Sequence, residues 1–373
     1  MSGIYIHIPF CKQACHYCDF HFSTSLKHKE KMLVAIEKEL EKRAADFNET
    51  IQTIYFGGGT PSLLSHKEID RFLDVVYKNY KVIETPEITL EANPDDLDEK
   101  KIVELSASRI NRLSIGIQSF YEEDLKMMNR AHNSKEAISC LELATQFFDN
   151  ITVDLIYGIP GLTLKQWKDN LQRVFKLGIN HISCYALTVE EKTALATFIE
   201  KKQIPPLDEE LAFSHFNCLV KEAENNGFVH YEISNFGKPN YFSKHNTSYW
   251  QGKKYLGVGP SAHSYFGTTR SWNVANNAKY IKAIELGEHH YELEKLSKND
   301  RFNEYVMIGL RTIYGVDLQN IKEELGYEYY NYLKTEAKPF LKDFTLEIKN
   351  DCLITTSKGK FLADGIAAEL FYV

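Results

Sequence analysis

The sequence has no uninterrupted apolar run near the ~18 residues that a transmembrane helix needs. The nearest run, residues 151–162, is broken by Asp154 and Pro160. The first residues, MSGIYIHIPFCKQ, lack the basic and long apolar segments of a secretory signal and the Arg- and Ser-rich composition of a transit peptide. These absences predict a cytoplasmic protein that does not span a membrane.

Basic residues and cysteines are also scarce. Forty-four Lys and Arg face 51 Asp and Glu, for a formal charge of -7, with no long basic block. Because a phosphate backbone is bound chiefly by clustered cations, no nucleic acid is expected as a partner. Seven cysteines in 373 residues are too few and too unevenly spread for a disulfide framework, which favours a reducing compartment. The 43% of apolar residues excludes a disordered or fibrous chain.

Short β-branched runs alternate with amphipathic stretches from residue 3 to about 190. We expect strands at residues 4–8, 53–56, 88–91, 112–117, 152–156 and 181–187, and helices at 29–45, 66–80, 134–148 and 164–177. Such alternation predicts βαβ units around a parallel sheet. Periodicity leaves two α/β architectures open, a doubly wound sheet and an incomplete barrel of the (β/α)8 type.

The alternation stops near residue 190, which predicts three parts. Residues 1–190 form the core, 191–297 form a region that covers it and contains an aromatic-rich loop up to about residue 273, and 298–373 form a smaller mixed α/β domain. Glycine and polar residues follow the predicted strands at 57–60, 91–94, 118–119 and 158–161. In barrel enzymes the active site lies at this carboxyl-terminal rim.

Three cysteines, Cys11, Cys15 and Cys18, follow the first predicted strand with spacings that let their thiolates converge on one centre. A structural zinc site needs four ligands, and His16 is poorly placed to join the three, so zinc would need a distant fourth ligand. An iron–sulfur cluster on three cysteines keeps one iron open to a small molecule. The residues alone leave both centres open.

The C-x3-C-x2-C triplet, followed after the second strand by a glycine-rich loop, resembles the radical S-adenosylmethionine (SAM) superfamily. The resemblance implies a [4Fe-4S] cluster on Cys11, Cys15 and Cys18, with SAM on the open iron. It also implies a partial (β/α)6 barrel, in agreement with the six expected strands.

Further motifs narrow the resemblance to the oxygen-independent coproporphyrinogen III oxidase family, over nearly the whole chain. They are IHIPFC at 6–11, FGGGTPS at 56–62, EANP at 91–94, IGIQSF at 115–120 and DLIYGIPG at 154–161. Carboxylates and amides that end successive strands can bind an ammonium group and ribose hydroxyls, and Arg130 can bind a carboxylate. The residues that the resemblance implies for SAM are Tyr5, Tyr17, Gly58, Gly59, Thr60, Glu91, Gln118, Arg130, Asp154 and Ala186.

The family contains true oxidases and haem chaperones of the HemW type. The oxidases resembled here carry one more cysteine shortly after the triplet and an extension before it, whereas this chain continues Cys18-Asp19-Phe20 and has ten residues before Cys11. The segment from His245 to Trp250 reads H-N-x-x-Y-W and resembles the haem-binding motif of the chaperones. The resemblance therefore implies haem binding by His245, Asn246, Tyr249 and Trp250, with no catalytic residue assigned. The alternative is oxidative decarboxylation of coproporphyrinogen III.

The same resemblance implies partners. They are haem, a haem-acceptor protein of the membrane-bound respiratory kind, and a second copy of the chain in a homodimer. His263 in the segment GVGPSAHS at 257–264 has no assigned role. Tyr265, Arg270 and Trp272 are candidates for a surface at the haem edge.

Overall fold

The computed structural model describes residues 2–373 and contains a twelve-stranded sheet. Its central strands are β1 (Ser2–Ile8), β2 (Ile51–Gly58), β3 (Val82–Ala92), β4 (Arg112–Gln118), β5 (Ile151–Tyr157) and β6 (His181–Ala186). These six lie in chain order, each parallel to the next. A doubly wound sheet reverses its strand order at a switch point, so this order identifies an incomplete barrel. The predicted partial (β/α)6 fold is confirmed.

Helices connect the six strands and cover the outside of the barrel. They are α1 (Lys29–Arg43), α2 (His66–Asn79), α3 (Glu99–Ser106), α4 (Glu122–Met127), α5 (Ser134–Phe147) and α6 (Leu164–Lys176), with 3-10 turns at Pro61–Leu63 and Pro94–Asp96. Three of them begin at capping boxes, on Ser65, Asn133 and Thr163, which satisfy free backbone N–H groups of the first turn. The four predicted helices are confirmed, and α3 and α4 are additional.

The region after β6 extends the sheet at both edges. It comprises α7 (Ala194–Glu200), α8 (Glu209–Asn225), β7 (Val229–Glu232), β8 (Asn235–Gly237), α9 (Lys244–Trp250), β9 (Tyr255–Val258), β10 (His263–Tyr265), β11 (Thr269–Asn273), α10 (Asn277–Leu286) and β12 (Tyr291–Lys295). Strands β8 and β7 follow β6, whereas β9 to β12 continue outward from β1. Because β1 and β6 each pair with a different outer strand, the six-stranded barrel does not close.

The H-N-x-x-Y-W residues form helix α9, whereas the sequence led us to expect a loop there. The side chain of Ser243 caps this helix by accepting a hydrogen bond from the backbone N–H of Asn246. Seven residues are too short to show a 3.6-residue apolar period, and so the helix carries no clear pattern in the sequence.

The C-terminal part has its own sheet and core. Its elements are α11 (Lys298–Leu310), β13 (Val316–Asp317), α12 (Leu318–Glu324), α13 (Tyr327–Glu336), α14 (Lys338–Lys342), β14 (Leu346–Lys349), β15 (Cys352–Thr355), a 3-10 turn at Lys360–Leu362 and α15 (Ala363–Glu369). A second hydrophobic cluster runs from Phe302 to Leu370, apart from the barrel core. This separate core supports our proposed boundary at residue 298, and the boundary at 190 also remains a proposal. No helix within residues 2–373 is long and apolar enough to cross a membrane.

Candidate functional site

A cavity of about 580 Å³ opens at the carboxyl ends of the barrel strands. Cys11, Cys15 and Cys18 line it. Nine of the ten residues predicted for SAM line it as well, namely Tyr17, Gly58, Gly59, Thr60, Glu91, Gln118, Arg130, Asp154 and Ala186. The structure therefore gathers residues from β2 to β6 and from the loop after β1 around one space.

The loop that carries the cysteines is fixed by backbone and side-chain hydrogen bonds. The backbone N–H of Cys11 donates to the Ser23 carbonyl at 3.1 Å. The ring nitrogen Nδ1 of His16 lies 2.9 Å from the Met127 carbonyl oxygen, so this imidazole is engaged with the chain. Burial raises the pKa of Cys11, and that of Cys18 to about 11. Among residues 2–373, no three His, Cys, Asp or Glu side chains lie close enough to hold one metal ion.

The glycine loop after β2 packs directly against the cysteine loop. Gly58 has a φ of +108°, and a Cβ there would come within 2.5 Å of the His7 ring. A Cβ on Gly59 would lie 2.5 Å from the Phe10 carbonyl oxygen. The Thr60 N–H donates to that same oxygen at 2.7 Å. Glycine is therefore required to hold the two loops together, whatever ligand the cavity takes.

Two carboxylates, Glu91 and Asp154, lie in the cavity with neutral partners. Glu91 accepts hydrogen bonds from the Tyr55 hydroxyl at 2.8 Å and from the Gly58 N–H at 3.3 Å. Asp154 accepts one from the Ser114 hydroxyl at 3.3 Å. Burial is the main cause that raises the pKa of Glu91 to about 7 and that of Asp154 to about 6. A cationic ligand would stabilise both ionised groups, and SAM carries an ammonium and a sulfonium.

Arg130 brings a positive charge to the cysteine side of the cavity. Its Nη1 donates to the Cys15 sulfur and the Tyr17 hydroxyl, both at 3.4 Å. Its Nη2 donates to Asn93 Oδ1 at 2.6 Å and to the Gly116 carbonyl at 2.9 Å. The Nε atom is buried and has no partner within residues 2–373. A guanidinium can pair with a carboxylate and with thiolates that hold a cluster. The three cysteines, Arg130 and the two carboxylates therefore fit a [4Fe-4S] cluster with SAM beside it.

Sequence reasoning did not assign Asn93 or Gly116 to the site. A Cβ on Gly116 would come within 3.2 Å of Arg130 Nη2 and 2.8 Å of Gln118 Nε2, so this glycine makes room for both side chains. Gln118 itself has a φ of +64°, a conformation that is rare outside glycine and concentrated at functional sites. Asn93 lies in the EANP motif and Gly116 in the IGIQSF motif, so the motifs that indicated Glu91 and Gln118 could also have indicated these two residues.

His245 lies away from the cavity, against the first halves of β1 and β2. Its imidazole is 1% exposed. Nδ1 is 2.7 Å from the Thr53 hydroxyl, and Nε2 is 2.7 Å from the Tyr249 hydroxyl. Burial lowers the pKa of His245 to about 3, which keeps the ring neutral. Both ring nitrogens already have partners inside the protein, so neither is free to bind iron in this conformation.

The other motif residues link the barrel to the C-terminal domain. The ring of Trp250 lies 5.5 Å from the Arg311 guanidinium carbon, and Tyr249 packs against Tyr255 with 4.4 Å between centroids. Asn246 is half-buried on the same helix. The predicted haem role of these residues and of His245 stays a prediction, and it requires α9 to open.

Tyr5 is the predicted SAM residue that does not line the cavity. Its ring stacks on Tyr55 with 6.0 Å between centroids and lies 6.5 Å from the His245 ring. Its hydroxyl is 3.4 Å from His7 Nδ1. Tyr5 therefore lies between the cavity and the motif helix.

Comparisons with known proteins agree with this geometry. The Radical SAM superfamily model matches residues 5–174, and the HemN C-terminal domain model matches residues 296–362. The chain is 32% identical to the haem chaperone HemW of Bacillus subtilis over 98% of each protein. The chain belongs to the HemW family. It is also 31% identical to HemW of Mycobacterium tuberculosis, over 99% of this chain and 94% of that relative.

A solved structure shares the fold of this HemW-family chain. It is coproporphyrinogen III oxidase (HemN) from Escherichia coli, a radical SAM enzyme, with a TM-score of 0.85. The match covers 99% of this chain and 90% of that one at 23% sequence identity. At this identity the likeness concerns the fold.

Proposed function

We propose that the chain is a haem chaperone that binds haem and transfers it to an acceptor protein. The observation that carries the proposal is the 32% identity to HemW of Bacillus subtilis along 98% of both proteins. A transfer function needs a haem site from which the haem can leave, and not a catalytic residue for porphyrin oxidation.

We further propose that Cys11, Cys15 and Cys18 hold a [4Fe-4S] cluster and that SAM occupies the cavity beside it. A reduced cluster of this kind supplies an electron for the cleavage of SAM. Glu91 and Asp154 receive the cationic part of SAM, because their partners in the chain are neutral. Arg130 places a fixed positive charge beside Cys15 and the anionic part of the ligand.

The H-N-x-x-Y-W helix keeps its predicted role in haem binding under one condition. His245 must give up its contact with the Tyr249 hydroxyl before Nε2 can reach an iron atom. A respiratory acceptor in the membrane, a homodimer and a cytoplasmic location remain predictions from the sequence.

The oxidase remains the second candidate, because the motifs at 6–11, 56–62, 91–94, 115–120 and 154–161 resemble the oxygen-independent coproporphyrinogen III oxidase family as a whole. The experiment that separates the two uses cluster-reconstituted protein under anaerobic conditions. Haem is titrated by visible absorbance, and a parallel sample receives coproporphyrinogen III, SAM and a reductant. Saturable haem binding without formation of protoporphyrinogen is expected. Protoporphyrinogen formation by protein that binds no haem would identify an oxidase instead.

A further inference from the structure

A second large cavity lies on the opposite edge of β1 from the other barrel strands. It has a volume of about 680 Å³ and is lined by residues of β10, β11, β12 and α10 with their connecting loops. Ligand pockets typically measure about 300–1,000 Å³, so the space suits a ligand as large as a porphyrin. None of the residues assigned to the cluster or SAM lines it.

Histidines and aromatic rings form one part of the wall. His263 is exposed, and its ring lies nearly parallel to that of Trp272, with 6.1 Å between centroids and an angle of 29°. Unlike His245, His263 therefore presents an imidazole to the surface beside a flat apolar ring. Imidazole is a common axial ligand of haem iron, and the indole beside it adds apolar surface that the macrocycle can contact through the edge of the indole ring.

His290 lies in the same wall and is fixed by a buried carboxylate. It is 4% exposed, and its Nε2 lies 2.9 Å from the Glu39 carboxylate. Its Nδ1 is buried and has no partner within residues 2–373. Glu39 also accepts hydrogen bonds from Asn273 and Tyr280, so this carboxylate holds the wall in place. Because Nδ1 is buried, His290 is not accessible to a ligand in the cavity, whereas the exposed His263 is.

Two lysines offer positive charge on the helical side. Lys279 and Lys282 are three residues apart on α10, so they share a face of the helix, and both are exposed in the cavity wall. Glu288 and Glu292 also line the cavity, so a dianionic ligand must present its carboxylates on the lysine side. Haem has two propionates on one edge of a flat ring, which matches a pair of neighbouring cations.

The cavity is connected to the cysteine loop. His21, at the end of that loop, has its Nε2 2.7 Å from the side-chain oxygen of Asn277, the first residue of α10. The carbonyl of His21 lies 2.9 Å from His7 Nε2 on β1. A change in the cysteine loop on cluster assembly would therefore act on the helix that carries both lysines.

We propose that haem docks in this cavity, with His263 as its iron ligand and Lys279 and Lys282 paired with the propionates. The inference rests on the proposed haem chaperone function and assigns it a site. This site would explain how the chain binds haem although both ring nitrogens of the motif histidine, His245, already have partners in the protein. Docking here would precede any opening of α9.

The test is an anaerobic haem titration of the full-length, cluster-loaded protein and its variants. His263→Ala should weaken haem binding at least tenfold and change the Soret band, while the exposed control His28→Ala binds like the wild type. The double variant Lys279→Gln/Lys282→Gln should bind haem several-fold more weakly, with Lys201→Gln/Lys202→Gln as its control. Haem dimethyl ester, which lacks both carboxylates, should bind the wild type and the lysine double variant equally.

The outcomes separate this inference from the proposed function. If the wild type binds haem, and His263→Ala binds equally well whereas His245→Ala does not, the cavity is not the site but the chaperone function stands. If the wild type binds no haem, the proposed function fails and the inference fails with it. Circular dichroism of each variant shows whether a loss of binding reflects a loss of fold.

Discussion

The ring of Tyr55 stacks on the imidazole of His245, with 4.8 Å between centroids and an angle of 24°. The hydroxyl of the same tyrosine donates a hydrogen bond of 2.8 Å to Glu91, which lines the cavity proposed for SAM. One side chain of β2 therefore touches both the cavity and the H-N-x-x-Y-W helix. A ligand that moves Glu91 would therefore affect His245 through the single residue Tyr55.

Tyr55→Phe should weaken SAM binding about fivefold, because the lost hydrogen bond to an ionised carboxylate is worth about 1 kcal/mol or somewhat more. The stack on His245 is retained, so haem affinity should change little. Equilibrium binding of SAM to the cluster-loaded protein measures the effect. Tyr157→Phe, another buried tyrosine at the end of a barrel strand, is the control. Equal loss of SAM in both variants would mean that the Glu91 bond is not the cause.

The contribution of Glu91 to the stability of the ligand-free chain should fall as pH rises toward neutrality. Burial raises the pKa of Glu91 from 4.5 to about 7, so between these values the folded chain holds a proton that the unfolded chain has released. The contribution of the Glu91 carboxyl to stability is fully present below about pH 4 and is lost as the pH passes about 7. This loss lowers the free energy of unfolding by roughly 3 kcal/mol.

Glu91→Gln should remove this part of the pH dependence, because the amide does not titrate. Urea unfolding between pH 4.5 and 8 gives the free energy of unfolding at each pH. The control is Glu84→Gln, which removes an exposed carboxylate from the same strand and should leave the slope unchanged. A Glu91→Gln slope as steep as that of the wild type would assign the proton to another group.

The barrel and most of the cavity were predictable from the sequence because their signals are local. Each strand is a short apolar run, and the residue that ends it at the rim is adjacent in the chain, as Glu91 is to Leu90. Since parallel strands bring these ends to one edge, the convergence of Glu91 and Gln118 followed from the order of the strands. Asp154 does not end its strand as expected but lies in the middle of β5, and it still lines the cavity. The positions of β9 to β12 could not be predicted in this way, because β9 pairs with β1 across about 250 residues of chain.

The environment of His245 was not predictable for a related reason. Its partner Thr53 is 192 residues away, and Gly3, which makes room for the ring, is the second residue of β1. The H-N-x-x-Y-W motif alone indicates that His245 is a haem ligand, because the motif does not show the partners of the imidazole. Only the fold shows that the imidazole is enclosed and neutral.

Arg130→Lys should lower SAM affinity about tenfold while the visible absorbance of the cluster is retained. Lysine keeps the charge but cannot reach Cys15, Asn93 and Gly116 together, because it lacks the planar fork of donors. The three cysteines are unchanged, so the cluster should assemble. Arg173→Lys, at a half-buried arginine paired with Asp169 away from the cavity, is the control. Wild-type SAM affinity in Arg130→Lys would show that charge alone suffices.

His245→Ala should lower the free energy of unfolding by about 3 kcal/mol at pH 8, because it leaves a buried cavity and removes two hydrogen bonds. The pKa of His245 is lowered to about 3 in the folded chain, so the contribution of His245 to wild-type stability falls as pH falls below about 6.5. The difference between variant and wild type should therefore shrink at pH 5. Urea unfolding at the two pH values tests this, and exposed His28→Ala should match the wild type at both.

Arg311→Ala should destabilise the chain by about 3 kcal/mol and loosen the C-terminal domain. The guanidinium Nη2 lies 2.9 Å from Glu232 Oε1, and Glu232 is 1% exposed, so the substitution leaves a buried carboxylate without a counterion. It also removes the cation beside the Trp250 ring of the motif helix. Thermal unfolding and limited proteolysis near residue 297 measure the two effects.

The second substitution Glu232→Gln should restore part of the stability by removing the unpaired charge. Arg109→Ala, which breaks an exposed pair with Asp74, should cost less than about 1 kcal/mol. Equal losses in the two arginine variants would mean that burial of Glu232 is not what makes the Arg311 pair matter.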